Sequence, residues 1–223
     1  TLHKIYFGGH ITVAGANSPA GLASRPVRIV LTDEVDRYPP SAGTEGDAVR
    51  LAAKRSANFF NSKLVLVSTP TVKDASRIEA EYLDSDQRQF WVSCPHCNAS
   101  QVLRWRQVQW QSGQPDTAVY VCAECGVAWR DAERLKALKR GEWRAQKDHN
   151  GVAGFHLSGL YSPWISLSDA VRDFLEAKKL PETLRVWVNT FLGESYEERG
   201  KGIDEISLLD HREDYLDCPE GVV

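Results

Sequence analysis

The fold of this chain is decided by the run Val27-Arg28-Ile29-Val30-Leu31-Thr32 and by the pair Asp33-Glu34 that directly follows it. A short apolar run that stops at polar residues is typical of a strand buried in a parallel sheet. A second run of this kind, from Lys63 to Val67, stops at Ser68-Thr69-Pro70. Both runs predict strands whose carboxyl ends carry side chains capable of chemistry.

Helix signals follow each predicted strand. Thr44 and Asp47 resemble a capping box and predict a helix to about Ala57, whereas Asp74 predicts the start of a helix that ends near Leu83. The order strand, helix, strand, helix predicts an α/β layer built on a mainly parallel sheet. Two further helices are predicted at 166–179 and 181–193, because apolar residues recur there at helical spacing.

The composition is that of a folded chain. Hydrophobic residues make up 42% and charged residues 26% of the 223 positions, which excludes intrinsically disordered and collagen-like proteins. No apolar run approaches the roughly 18 residues that predict a membrane span, and no signal-peptide pattern opens the sequence. The sequence contains no methionine, which predicts that it is part of a longer product.

Charge is distributed unevenly, although the net charge is only −3. Residues 88–147 contain ten basic and five acidic side chains, whereas residues 194–223 contain three basic and ten acidic side chains. Tryptophans and arginines also lie close together in the basic segment, namely Trp91, Trp105, Trp110, Trp129, Arg88, Arg104 and Arg106. This pattern fits a nucleic-acid or partner surface, and the alternative is that the tryptophans pack a small core.

Four of the five cysteines form two Cys-x-x-Cys pairs separated by 24 residues, namely Cys94, Cys97, Cys122 and Cys125. The pattern predicts a tetrahedral zinc site, because two thiolates in one tight turn can face the same ion. Disulfide bonds or a redox pair are the alternatives. Four thiolates leave no coordination position for water, so zinc is expected to have a structural role.

The strand-end residues are the catalytic candidates. Of the two acids, Asp33 can hold Mg²⁺ and Glu34 can polarise an attacking water, and phosphoryl transfer requires both roles. The hydroxyls of Ser68 and Thr69 can donate to a phosphate or to that water. Solvated strand ends and an ordinary turn are the alternatives. The sequence contains no Gly-x-x-x-x-Gly-Lys-Ser/Thr loop, so the phosphate-binding half of such a site is expected to precede residue 1.

The ordered set of motifs resembles a known family, the large terminase subunits of tailed phages. The first strings that carry the resemblance are Gly15–Ser18, Ser24–Pro26, Leu31–Pro39, Val67–Thr71 and Ser76–Glu79. The cysteine pairs and the later strings resemble the lambda-type branch, and these strings are Gly141–Arg144, Gly154–Leu157, Leu160–Pro163 and Asn189–Glu194. The resemblance covers nearly the whole sequence.

The resemblance implies a partial P-loop ATPase of the ASCE type, with an inserted zinc ribbon and C-terminal helices. It implies Asp33 as the Walker B acid that binds magnesium with ATP, and Glu34 as the base that activates water. Ser68 and Thr69 match the coupling motif, which links hydrolysis to DNA movement. Arg25 matches the region where related motors place a trans-acting arginine finger, and a surface arginine or a salt bridge is the alternative.

The resemblance also implies a division of the chain. The segments are the distal half of the ATPase core at 1–88, the zinc ribbon at 89–130, the remainder of the ATPase domain at 131–193, and an acidic linker toward a missing nuclease domain at 194–223. The implied function is ATP-driven packaging of double-stranded phage DNA into a procapsid in the host cytoplasm. The implied partners are the small terminase subunit and the portal, around a homo-oligomeric ring and without a membrane. This polypeptide alone is expected to be inactive.

Two other functions remain open at this point. A superfamily-2-like helicase also pairs an Asp-Glu motif with a Ser/Thr motif on the next strand, although no second RecA-like domain is recognisable here. The other alternative is non-enzymatic, either a zinc-stapled module that binds DNA or protein, or a prophage remnant. A glycine-rich phosphate loop encoded upstream of Thr1 would favour the motor.

Overall fold

The computed structural model of the protein describes residues 2–23 and 25–197. This part of the chain is a mixed α/β structure of short strands and helices, which confirms the class expected from the sequence. Within it, no helix is long and apolar enough to cross a membrane. The acidic segment predicted as a linker lies largely outside the described residues.

The chain opens with a hairpin. Strands β1 (His3–Tyr6) and β2 (Gly9–Thr12) pair antiparallel, as the alternating pattern of the first residues predicts. Gly8 lies in the turn with a φ of 86°, a conformation that costs a residue without a Cβ very little. A short helix, α1 (Pro19–Ala23), follows the hairpin.

The two apolar runs form the predicted parallel pair. Strands β3 (Ile29–Asp33) and β4 (Lys63–Val67) run side by side, with Asp33 opposite Val67. Helix α2 (Ala48–Ala53) lies between them in sequence, and helix α3 (Arg77–Leu83) follows β4. We call β3, β4, α2 and α3, residues 25–83, the strand layer.

Both helix caps of the strand layer differ in part from the prediction. Asp47, and not Thr44, is the N-cap of α2, where it accepts a hydrogen bond of 2.7 Å from the Arg50 N–H. Helix α3 starts after Ser76, which accepts from the Glu79 N–H at 3.2 Å. Asp74 instead lies in the preceding turn with a φ of 64°. Each cap satisfies a backbone donor that would otherwise lack a partner.

The second part of the chain, residues 85–193, is built around the cysteines, and we call it the cysteine body. Its strands are β5 (Arg88–Ser93), β6 (Ser100–Val102), β7 (Val108–Gln111), β8 (Gln114–Val121), β9 (Ala128–Trp129), β10 (Glu142–Arg144) and β11 (Phe155–His156). They form two sheets, one of β10, β5 and β11 with β6 paired to β5, and the other of β7, β8 and β9. Helix α4 (Asp131–Leu138) follows β9.

Two helices close the cysteine body. Helix α5 (Leu167–Ala177) is capped by Ser166, as predicted, with a hydrogen bond of 3.0 Å from the Asp169 N–H. Helix α6 (Pro181–Trp187) continues as a π-helical turn through Leu192 and ends at Gly193, whose φ is 65°. A proline in the first turn and a left-handed glycine after the last are common helix boundaries.

The largest core belongs to the cysteine body and joins its strands to α5 and α6. The Trp105 ring lies 4.8 Å from that of Trp187 and 5.2 Å from that of Phe174. Trp129 is fully buried, and Trp110 also packs against this core. Packing, rather than a nucleic-acid surface, therefore accounts for Trp105, Trp110 and Trp129. The helices that were expected to complete the ATPase domain pack on the cysteine body.

Among residues 2–23 and 25–197, nothing covers one face of the strand layer to a comparable extent. Leu31 is 74% exposed and Val67 is 54% exposed, and Ile29 and Val65 on the same face are exposed as well. Parallel sheets normally have both faces covered. On the opposite face, Val30 and Thr32 of β3 are buried, whereas Leu64 of β4 is 43% exposed.

Candidate functional site

The carboxyl ends of β3 and β4 bring the predicted catalytic side chains to one edge. Because the strands are parallel and Asp33 lies opposite Val67, Glu34 and Ser68 are the next residues on the two strands. Thr69 follows Ser68, and its hydroxyl donates a hydrogen bond of 3.2 Å to Glu34 Oε2. The structure therefore brings acidic and hydroxyl side chains together at this edge, from positions 35 residues apart in sequence.

The two acids differ in their surroundings. Asp33 is exposed at the last position of β3. Glu34 occupies the left-handed region with a φ of 54° and a ψ of 48°, and it precedes a 3-10 turn at Val35–Arg37. A residue with a Cβ is strained in this conformation, and such strain is concentrated at functional sites. Arg37 Nε lies 3.8 Å from Glu34 Oε2, a weak ion pair because both side chains are exposed.

Arg25 lies apart from these contacts. Its guanidinium Nη1 is hydrogen-bonded to His3 Nε2 at 3.3 Å, on the opening hairpin. This contact orients Arg25 toward β1. Its predicted role as an arginine finger acting on a neighbouring subunit stays a prediction.

The four predicted ligand cysteines converge in the cysteine body. Their sulfur atoms all lie within 4.8 Å of one another, with Cys94 and Cys125 separated by 3.8 Å and Cys97 and Cys122 by 3.9 Å. Four bonds of about 2.3 Å to one tetrahedral ion would place sulfur atoms about 3.8 Å apart. The cluster can therefore bind a metal ion.

Two equivalent turns carry the cysteine pairs. In the first, the Asn98 N–H donates to the Cys94 carbonyl at 3.0 Å, and in the second the Gly126 N–H donates to the Cys122 carbonyl at 3.1 Å. Asn98 and Gly126 both have a left-handed φ, of 61° and 72°. Asparagine tolerates this conformation better than most residues with a Cβ, and it takes in the first turn the position that glycine has in the second.

Hydrogen bonds aimed at sulfur polarise the cluster. The backbone N–H groups of His96 and Cys97 lie 3.4 Å and 3.5 Å from Cys94 Sγ, and Gln101 Nε2 lies 3.2 Å from Cys122 Sγ. Burial opposes the thiolate of Cys122, but donors from the backbone of residues 124 and 125 and from Gln101 outweigh it and lower its pKa to about 6. His96 is not among the clustered ligand atoms and pairs with Glu133 at 3.0 Å.

Sequence reasoning missed Asp36, which organises the strand-end edge. Its Oδ2 accepts from the N–H of Thr71 at 3.0 Å and from the Thr71 hydroxyl at 3.1 Å, while its Oδ1 accepts from the Ile78 N–H at 2.7 Å. Its own N–H donates to Ser68 Oγ at 3.2 Å. The available signal was a third acid, two positions after Glu34, in a stretch without helical or strand periodicity.

The sequence prediction also missed Asp86, which links the start of β5 to the loop around residue 150. Its fully buried carboxylate accepts from Arg88 Nε at 2.8 Å and from the Gly154 N–H at 3.1 Å, and it contacts His149 Nδ1 at 3.0 Å. Burial acts to raise the pKa of Asp86, but these partners hold it below the ordinary value of 3.8. The carbonyl of Asp86 accepts from the N–H groups of Gln146 and Lys147.

The segment after α6 returns to the strand layer. Tyr196 forms a parallel bridge with Val72, and its N–H donates to the Thr71 carbonyl at 2.9 Å. Lys73 Nζ lies 3.2 Å from Glu197 Oε1, and Ser195 Oγ donates to Glu79 Oε1 at 2.5 Å. The loop that follows Thr69 is therefore attached to the cysteine body through residues 195–197.

These features define an α/β protein with acids and hydroxyls at the carboxyl edge of a parallel strand pair, a location at which such proteins bind ligands. The family model for the ATPase domain of the phage terminase large subunit gpA matches residues 1–143. The model for the endonuclease domain of the same subunit matches residues 152–223. The chain belongs to the phage terminase large subunit family.

Two curated relatives agree with this assignment. The chain is 27% identical over 237 residues to the terminase large subunit of Enterobacteria phage P21, and 23% identical over 243 residues to that of Escherichia phage lambda. These alignments cover 94% and 98% of this chain, but only 37% and 38% of the relatives. The resemblance to the lambda-type branch is confirmed. No solved structure is significantly similar to the chain.

The family models divide the chain differently from the sequence prediction. That prediction extended the ATPase domain to residue 193 and placed the nuclease outside the chain, whereas the matched regions end at 143 and begin again at 152. Residues 144–151 lie between them and include His149, which contacts the buried Asp86. In the described structure, β11 from the second matched region pairs with β5 from the first.

Proposed function

We propose that this chain contains the water-activating part of the ATPase of a phage DNA-packaging motor. The observation that carries the proposal is the hydrogen bond between Glu34 and Thr69 at the shared end of two parallel strands. The edge combines an acid that is exposed, an acid fixed in a strained turn and a hydroxyl group. Membership in the terminase large subunit family supports the same function.

In this proposal Asp33 and Glu34 have separate roles. The exposed carboxylate of Asp33 suits a hydrated magnesium ion, because hard oxygen ligands and retained waters are what this ion prefers. Magnesium bound with ATP would neutralise charge on the phosphate oxygens. Glu34 accepts a proton from the attacking water, and its turn fixes the carboxylate beside Thr69. In this proposal β3 and β4 form part of a P-loop sheet. The phosphate loop of that sheet is not among the motifs of this sequence.

Ser68 and Thr69 form the proposed coupling motif, and we call residues 68–71 the coupling loop. Thr69 contacts Glu34 directly, and Ser68 accepts from the Asp36 N–H. Residues 71–73 contact Tyr196 and Glu197. A change at the base can therefore reach the rest of the chain through hydrogen bonds along this loop.

The cysteine cluster is proposed to hold zinc. Four thiolate ligands favour zinc over magnesium or calcium, and the sulfur separations of 3.8 Å and 3.9 Å fit its bond length. A tetrahedral ion with four protein ligands has no position open to water, so its proposed role is structural. Zinc would cross-link the loop after β5, which contains Cys94 and Cys97, to the loop after β8, which contains Cys122 and Cys125.

The remaining parts of the proposal concern the whole motor. The chain spans well under half of the relatives' length, since the alignments cover 37% and 38% of them. We infer double-stranded DNA as the substrate that is moved, with the small terminase subunit and the portal as partners in the host cytoplasm. Arg25 would act across a ring of subunits, with ATP bound to the neighbour.

The test is hydrolysis of Mg-ATP by a polypeptide that joins this chain to an upstream phosphate loop. Asp33→Asn is expected to lower turnover by about 100-fold or more, because charge on the phosphates loses its counter-ion. Asp148→Asn, an exposed acid in the loop after β10, is the matched control and should leave turnover unchanged. Equal turnover by the two variants would refute the assignment of Asp33.

Zinc is tested separately by metal analysis of the purified chain. One zinc ion per chain is expected, and Cys97→Ser should lower the content. A folded chain with well under one zinc ion would contradict the proposed metal, even if the hydrolysis experiment succeeded.

A further inference from the structure

We propose that Asp36 is a positioning residue for ATP hydrolysis, which sets the place of Glu34 relative to the coupling loop. The inference rests on the proposed function, because it assigns a role within that same edge. Asp36 is partly buried and is the middle residue of the 3-10 turn Val35–Arg37, which begins directly after Glu34. Its side chain contacts both the coupling loop and helix α3.

Each oxygen of the Asp36 carboxylate serves a different element. Oδ2 receives two hydrogen bonds from Thr71 in the coupling loop, one from the N–H and one from the hydroxyl. Oδ1 receives the N–H of Ile78 in the first turn of α3. The side chain therefore links the end of β3 to the loop after β4 and to the helix that follows it.

The direct contact between Glu34 and Thr69 is too weak to fix this geometry. It is a solvent-exposed hydrogen bond of 3.2 Å between the exposed Glu34 and the half-buried Thr69, where water competes for the partners. Both acids are charged acceptors, but Asp36 accepts three hydrogen bonds and these are partly shielded from water. Val35, next to Glu34, is almost fully buried and prevents the turn from moving as a whole. The position of the Glu34 carboxylate is thus set by Asp36, two residues further along the chain.

A carboxylate is required because three donors converge on this side chain. An asparagine has the same shape but only one acceptor oxygen, and its amide group would face either Thr71 or Ile78 as a second donor. Asp36→Asn is therefore a small change in volume that breaks one side of the link. A shift of the base by about 1 Å can reduce turnover by about 100-fold.

The experiment measures kcat and KM for Mg-ATP, together with the thermal midpoint, in a polypeptide that joins this chain to an upstream phosphate loop. Asp36→Asn should lower kcat by about 10- to 100-fold and change KM by less than about threefold, because the base moves while nucleotide binding is retained. Thr71→Val should lower kcat by a smaller factor, since it removes one of the two donors to Oδ2. Thr71→Ser retains the hydroxyl and should restore turnover.

Asp74→Asn is the matched control. Asp74 is an exposed acid close to the coupling loop, in a left-handed conformation that asparagine also tolerates. Its replacement should leave kcat and KM unchanged. The double variant Asp36→Asn with Thr71→Val should be no slower than Asp36→Asn alone, because both changes interrupt the same contact.

Two results would overturn the inference. The first is turnover by folded Asp36→Asn within about twofold of the unchanged protein, and the second is an equal loss for Thr71→Val and Thr71→Ser. If Asp36→Asn does not fold, the Thr71 pair decides alone, and wild-type turnover by Thr71→Val contradicts the proposal. Loss of hydrolysis in Asp33→Asn without any effect at Asp36 and Thr71 would refute only this inference. Retained hydrolysis in Asp33→Asn would instead refute the proposed function.

Discussion

The strand layer and the cysteine body keep their folds in different ways. The buried apolar residues of the strand layer are small and aliphatic, namely Val30, Val35, Ala42, Ala48, Val49 and Ala52. The cysteine body buries aromatic rings around its core, with Trp187 and Phe191 stacked 5.0 Å apart and Trp105 against both. Large rings bury more apolar surface than alanine or valine, so the described contacts favour the cysteine body as the more stable part.

This difference places the proposed chemistry on the less stable part of the chain. The strand-end edge is held by hydrogen bonds from a few side chains, and one strand face is exposed. Regions with few buried apolar contacts open and rearrange more easily. Under the proposed function, the edge that closes around the nucleotide would therefore lie on the part that rearranges more easily.

Removal of the proposed zinc ion should produce the largest difference between the two parts of the chain. Structural zinc supplies about 10–16 kcal/mol of apparent binding free energy, so a strong chelator should unfold most of the cysteine body. Hydrogen exchange should then become fast in β5–β9, with a smaller change in β3 and β4. Cys122→Ser should act like the chelator, whereas Cys218→Ser, at the fifth cysteine, should not. Unchanged exchange in β5–β9 after metal removal would contradict the assigned role of the cluster.

Truncation of a buried aromatic ring in the cysteine body should lower the free energy of unfolding much more than truncation of an exposed side chain in the strand layer. Phe191→Ala is expected to lower the free energy of unfolding by about 3–5 kcal/mol, because it opens a cavity in the aromatic core. Leu31→Ala should cost about 0.5 kcal/mol or less in this chain, since Leu31 is 74% exposed. Urea denaturation measures both values, and equal costs would remove the contrast between the two parts.

Substitution of Leu31 also tests whether another part of the protein covers the exposed face of the strand layer. In a polypeptide that includes the upstream phosphate-loop half, Leu31→Ala should cost about 2 kcal/mol or more, because another layer would then bury it. An unchanged cost would show that the exposed face is not covered by that half. Glu142→Ala, at an exposed position of β10, provides the control and should cost little in either polypeptide.

A smaller effect is expected from pH, through Asp86. Its pKa is lower in the folded chain than its ordinary value of 3.8, so the unfolded chain binds the proton more readily. The stability that Asp86 contributes is therefore complete above about pH 4 and is lost as the pH falls through the folded-state pKa. Thermal midpoints from pH 7 to pH 3 should show Asp86→Asn less stable at neutral pH, with the difference shrinking in acid. A difference that stays constant with pH would contradict this assignment.

A small effect is also expected at a helix cap. Asp47→Ala should lower the free energy of unfolding by about 1 kcal/mol, because α2 loses its N-cap and Arg77 loses an ion-pair partner. Thr44→Ala, at the other position of the predicted capping box, should have almost no effect. Denaturation of the two variants separates the roles, and a larger cost at Thr44 would show that the cap is assigned to the wrong residue.

The sequence was sufficient to predict the elements that depend on local patterns. The apolar runs predicted β3 and β4, Ser166 predicted the start of α5, and the two Cys-x-x-Cys pairs predicted the cysteine cluster. Each of these signals lies within a few neighbouring residues or in a fixed spacing. The parallel order of the two strands also followed from the helix between them.

The remaining features depend on contacts between distant residues. Arg134 lies in a basic stretch of the sequence, but its guanidinium is buried and donates to the carbonyls of Leu160, Ser162 and Ile165. Asp36 and Asp86 likewise bind partners that lie 35 to 68 positions away. An acid or an arginine in the sequence does not reveal whether backbone donors or carbonyls will surround it. Tertiary packing determines which groups surround such a side chain, and local sequence propensity does not predict them.

The central claim is that the strand layer contains the catalytic base of the proposed ATPase, Glu34. Single-turnover hydrolysis of Mg-ATP by Glu34→Gln, in a polypeptide with an upstream phosphate loop, tests it most directly. Nucleotide binding should be retained and the rate of hydrolysis should fall by about 100-fold or more, because glutamine cannot accept the proton from water. A hydrolysis rate within about twofold of the unchanged protein would contradict the claim.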